Sequence, residues 1–82
     1  MKQVLVIAKF DQAEAMRVAA GLTLLNDHIR IQVIGKLKDS QEVAEQKEVL
    51  DFAEVPCEVL DAADPLPDIA QSILTADTVF IL

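Results

Sequence analysis

Four short apolar runs punctuate the chain: QVLVIA (Gln3–Ala8), IRIQVIG (Ile29–Gly35), CEVLDA (Cys57–Ala62) and DTVFIL (Asp77–Leu82). The segments between them carry helical spacing. This alternation constrains the fold more than any other feature. A run that is short and rich in β-branched residues reads as a strand buried on both faces, the habit of parallel sheets. Parallel strands need a crossover, and the crossover helix covers one sheet face. The pattern β-α-β-α-β-α-β therefore predicts a three-layer α/β domain around a four-stranded parallel sheet. Right-handed crossovers leave few topologies, and the flavodoxin-like order 2-1-3-4 is the simplest. The 82 residues make a single domain, 1–82, without repeat, linker or low-complexity segment.

Local signals support the elements. Asp11 is a good N-cap, and Glu14 follows at capping-box spacing, so a helix is expected from Gln12 to Leu25, with Asn26 and Asp27 as its stop. In the second run Ile29, Ile31 and Val33 alternate with Arg30, Gln32 and Ile34. One face is wetter, which suggests an edge strand. Ser40 caps the next helix and Pro56 stops it, because the residue before a proline avoids the α region. Asp64 or Asp68 is expected to cap the third helix.

The formal charge is −7, which repels phosphate backbones, and no basic run is present. Nucleic acid and anionic membranes are thereby excluded as partners. The apolar run Val4–Ala8 is too short for a signal peptide, and none approaches the ~20 apolar residues of a membrane span. A cytoplasmic location is expected. A single cysteine and a single histidine exclude a disulfide framework and a Cys- or His-based metal site. No metal or cofactor is expected. The first βα turn has no glycine, so neither a dinucleotide fingerprint nor a P-loop is present.

In open α/β sheets, ligands sit beyond the carboxyl ends of the strands. The chain offers Lys9 and Asp11 after the first strand, Lys36 after the second and Asp61 after the third, and these are the candidate ligand-binding residues. Cys57 is the one candidate catalytic residue. It opens the third strand, at the opposite end, between Glu54 and Glu58, whereas a reactive thiolate wants a helix N-terminus or a basic neighbour. His28 also falls at the amino end of the sheet. The first helix is apolar around most of its circumference, which suggests a subunit interface through Met16, Ala20 and Leu24 and hence a homo-oligomer.

The stretches KQVLVIAK, AMRVAAGLTLLNDHIRIQVIG, VPCEVLDAAD and ILTADTVFIL, with the closing Ala76-Asp77-Thr78-Val79-Phe80, resemble the DsrE/TusD-like (DsrE/F-like) sulfur-relay family. The likeness covers most of the chain and rests mainly on spacing and apolar pattern. It implies a small oligomeric α/β protein with an accessory or binding role in or near sulfur metabolism, and sulfurtransferase-type proteins as partners. Some family members carry persulfide sulfur on a cysteine just after the third strand. That position falls near Leu60, Asp61 and Ala62, none of them cysteine, and Cys57 lies about four residues early. A non-enzymatic role is favoured over an enzymatic one. The alternatives are a persulfide carrier using Cys57 and a non-enzymatic oligomeric assembly module.

Overall fold

In the computed structural model, which describes residues 2–25 and 28–82, strands and helices alternate along the chain. They are β1 (Gln3–Ala8), α1 (Gln12–Leu22), β2 (His28–Ile34), α2 (Gln41–Phe52), β3 (Cys57–Leu60), α3 (Leu66–Thr75) and β4 (Thr78–Ile81), with a 3-10 turn over Thr23–Leu25. All strand pairs are parallel. The strand order is 3-2-1-4, not the expected 2-1-3-4. The crossovers β1-α1-β2 and β2-α2-β3 both step in the same direction, so α1 and α2 share one face. The connection from β3 to β4 returns across the whole sheet, and α3 covers the other face. The expected stop at Asn26 and Asp27 lies outside the described residues.

The order has a physical consequence for β2. It is an interior strand between β1 and β3, not an edge. Its two sets of side chains meet different surroundings. Ile29, Ile31 and Val33 join Val4, Val6 and Ala8 of β1 under α1 and α2, together with Ala15, Met16, Ala19, Val43 and Leu50. On the other face Leu5, Ile7 and Leu60 meet Ile69 of α3, and this second apolar cluster is small. The register sets Arg30 beside Leu5 and Gln32 beside Ile7 on that second face.

The helix ends follow local chemistry. The Asp11 carboxylate accepts from Glu14 N–H at 3.1 Å, and Ser40 Oγ accepts from Val43 N–H at 3.2 Å. Each cap takes up an otherwise orphaned donor. Neither Asp64 nor Asp68 caps α3: Pro65 occupies that position and makes no side-chain cap bond. Pro67, at the second position of the helix, has no N–H, so one of the donors a cap would serve is absent. The start of β4 is latched to β1 in both directions. Asp77 N–H donates to Gln3 O at 2.7 Å, and Gln3 N–H donates to the Asp77 carboxylate at 2.8 Å. Among the described residues no helix is long and apolar enough to cross a membrane.

Helix α2 stops at Phe52, before Pro56 acts. Val55 N–H donates to Leu50 O at 2.9 Å and Glu54 N–H to Asp51 O at 3.1 Å, which is the Schellman pattern. That pattern puts Glu54 in the left-handed region, at φ 60°. A side chain there crowds the following carbonyl, and glycine avoids the cost. Glu54→Gly is expected to raise stability by about 0.5–1 kcal/mol, read as a higher urea midpoint at unchanged slope.

Candidate functional site

With the order 3-2-1-4, the reversal of strand progression lies between β1 and β4. A ligand crevice is expected beyond their carboxyl ends. There the N–H groups of Lys9 and Phe10 both donate to Leu82 O, at 2.8 and 2.7 Å, so the chain's own carbonyl takes up the donors an anion would use. The Lys9 ammonium sits over the Phe10 ring, 5.1 Å from its centroid. Asp11 is committed to its cap.

Lys36 and Asp61 do come together. They line a hollow of about 320 Å³ at the carboxyl ends of β2 and β3, with Gly35, Val59 and Leu60. Gly35 has φ 89°, the left-handed backbone that turns the chain out of β2. The Asp61 carboxylate accepts from Ala63 N–H at 2.9 Å, a local turn bond. The loop after β2 is held by Gln12, from the first turn of α1. The buried Gln12 side chain donates to Lys36 O at 2.8 Å and accepts from Lys38 N–H at 2.7 Å. Lys9 and Asp11 do not line this hollow.

The candidate interface residues divide, Met16 and Ala20 falling on α1 and Leu24 in the 3-10 turn that follows it. Met16 is fully buried in the core, and Ala20 packs against that core half-buried. Leu24 alone is exposed and open to a partner.

Cys57 opens β3 opposite Ile31 and packs half-buried against the core beneath α1 and α2. Burial pushes its thiol above the ordinary value; the Lys47 charge pulls it down and Asp51 pushes it up, both by less. Desolvation disfavours the anion, so the thiol is protonated at neutral pH. His28 lines a separate hollow of about 440 Å³ at the amino ends of the strands.

The most developed polar site lies elsewhere, between α3 and the polar side of β2. A cleft of about 270 Å³ is lined by Arg30, Gln32, Glu58, Asp68, Gln71 and Ser72, with Thr75 at its end. Gln32 is only 1% exposed. Its amide nitrogen donates to Ser72 Oγ at 2.7 Å and to the Glu58 carboxylate at 2.9 Å, directly across the β2–β3 ladder. Arg30 donates a further bond to Ser72 Oγ at 2.8 Å. The amide oxygen, Gln32 Oε1, is buried and has no partner. Turning the amide over would set that oxygen against the Glu58 carboxylate, two acceptors face to face, so the carboxylate fixes which end is orphaned. An unpaired buried acceptor costs on the order of 1–3 kcal/mol.

This cleft can bind more readily than it can catalyse. The Ser72 hydroxyl accepts from two donors, whereas an activated nucleophile gives its proton to a base. Among the described residues no three His, Cys, Asp or Glu side chains are grouped to hold a metal ion. None of Arg30, Gln32, Glu58 or Ser72 was singled out as a candidate from sequence. The wetter side of β2 is the available signal, and an edge position for that strand turns it to solvent. No protein-family model matches the chain, and neither a curated protein nor a solved structure matches it.

The raised thiol gives a measurable outcome. Stability tied to the Cys57 proton is fully present below the ordinary thiol range and is lost as pH rises through the folded value. The rate of thiol labelling against pH is expected to rise at higher pH in the folded protein than in urea, and Cys57→Ala should flatten the alkaline loss of stability.

Proposed function

We propose that this chain is a non-enzymatic binding domain of the accessory kind that the DsrE-like resemblance implies, acting in or near sulfur metabolism beside sulfurtransferase-type partners. In this reading it holds a small polar ligand in the cleft under α3. One observation carries it: Arg30 and Gln32 both donate to Ser72 beside a cleft of ligand size, and Gln32 also anchors Glu58 on its wall. The persulfide-carrier alternative has less support, because desolvation holds the Cys57 thiol protonated.

Replacing Gln32 tests the reading. In Gln32→Met, Ser72 keeps its bond from Arg30 and Glu58 is exposed to water, so no new buried orphan is created. The variant is expected to be as stable as the parent or more so. It should lose the thermal shift that a panel of small amines, carboxylates, phosphates and sugars produces in the parent. A parent that none of these compounds stabilises would sink the reading.

A second reading, self-association, has its own observation. β4 is an edge strand whose outer backbone is unpaired among the described residues, and it carries Phe80 (37% exposed) and Ile81 (57% exposed). Natural edge strands are usually guarded by charge or proline, and the TVFI strand has neither. The occupant is a second copy, since two such edges related by a two-fold axis pair as one continuous sheet. Sedimentation across a concentration series should show a dimer that Ile81→Lys abolishes. A monomer at every concentration would remove this reading.

A further inference from the structure

We infer that the cleft under α3 takes a small zwitterion, an amino acid with its carboxylate at Arg30 and its ammonium toward Glu58 and Asp68; this rests on the cleft being a ligand site. Both signs of charge line one space of about 270 Å³. Among the described residues Arg30 forms no ion pair with either carboxylate. The hydrogen bonds show what keeps the signs apart. Ser72 Oγ holds the Arg30 guanidinium, and the Gln32 amide holds the Glu58 carboxylate, so each charge is tied to a neutral partner. Gln32 and Ser72 are buried and bonded to each other, and they stand as a fixed spacer between the two signs.

The charges are ordered along the cleft. Glu58 lies opposite Gln32, and Arg30 is two residues earlier in β2. One strand spacing and two residues of rise set the Arg30 and Glu58 backbones about 8 Å apart. Helix α3 runs against the strands, since it returns the chain to the start of a parallel strand. Asp68, in its first turn, is therefore at the carboxyl end of the cleft, and Thr75 at the amino end. Arg30, Thr75 and Ala76 line a further small hollow that neither carboxylate lines, which places the guanidinium at the amino end. A simple cation meets the guanidinium, a simple anion meets two carboxylates, and a neutral molecule gains from neither. An amino acid matches both ends. The guanidinium keeps donors beyond the one given to Ser72, and a ligand carboxylate can accept them. Charges anchored before a ligand arrives lower the ordering cost of binding.

The test compares three molecules built on one chain: 4-aminobutyrate, n-butylamine and n-butyrate, added to 15N-labelled protein at neutral pH and constant ionic strength. 4-Aminobutyrate is expected to move the Gln32 side-chain amide and the Glu58 and Ser72 backbone signals along a saturable curve, while the singly charged pair leave them in place. Arg30→Gln and Glu58→Gln, both at exposed positions, should each weaken that binding by about threefold to tenfold, the loss of one partly solvated ion pair. Saturable movement with butylamine or butyrate at the same affinity overturns the zwitterion and leaves the cleft as a site. So does silence with all three while another small molecule gives a thermal shift that Gln32→Met removes. Silence with every compound overturns both readings. Movement by 4-aminobutyrate that neither Arg30→Gln nor Glu58→Gln weakens, or that is equal and unsaturated at remote acids such as Glu14, overturns the inference.

Discussion

A primary amide buried in the middle of a parallel sheet sets the terms for one whole face of this domain. Gln32 is 1% exposed and lies in β2, with β1 on one side and β3 on the other. A buried amide must be hydrogen-bonded or it costs more than its burial returns. Its neighbours answer that demand. Glu58 stands directly across in β3, and α3 turns Ser72 toward the sheet where an apolar residue would otherwise pack. Arg30, two residues back on the same face of β2, reaches the same hydroxyl. Two donors converge on Ser72, and one acceptor on Gln32 is left over.

The two faces of the sheet are consequently unequal. Under α1 and α2 the alternating residues of β1 and β2 are all apolar, and they close a continuous core with Met16, Val43 and Leu50. Under α3, among the described residues, only Leu5, Ile7, Leu60 and Ile69 are buried together, while Leu66, Ile73 and Leu74 of α3 stay exposed. Hydrophobic stabilisation follows the apolar area removed from water, about 25 cal/mol per Å². The first face therefore holds the domain together, and the second is the softer layer. Elements with few buried apolar contacts open at lower free energy than the core, and binding regions are drawn from that end of the range.

Local features of this fold were readable in the sequence because their causes are local. The alternation of elements, the caps Asp11 and Ser40, and Cys57 at the opening of β3 each depend on a few neighbouring residues. Strand order does not. The orders 2-1-3-4 and 3-2-1-4 share the same chain of elements and the same crossover hand, and they differ in which strand is enclosed. Arg30 and Gln32 then mean opposite things. On an edge both are solvated side chains; inside the sheet Gln32 is buried and must find partners, while Arg30 stays exposed and reaches Ser72 on α3. The absence of a side-chain cap on α3 belongs to the same class: Pro65 takes the cap position, and Pro67 in the first turn lacks one of the donors that Asp64 or Asp68 would have served. Met16 shows the converse error of scale. An apolar residue on a helix face cannot say whether its own core or another subunit covers it, and here its own core does.

The return crossover explains why the polar cleft lies on a sheet face and not at the carboxyl edge. With β4 beside β1, the chain leaving β3 must pass over both β2 and β1 to reach its place. That path carries helix α3 over the polar side of β2, where its Ile69 and Ser72 seat it. At the carboxyl edge, the same docking of β4 brings Leu82 O within reach of the Lys9 and Phe10 N–H groups, and both donors are consumed internally. One topological fact thus closes the usual ligand position and builds another. The apolar Leu5 and Ile7 on β1 give α3 its purchase, Arg30 and Gln32 on β2 hold it off with hydrogen bonds, and the gap between those two modes of contact is the cleft.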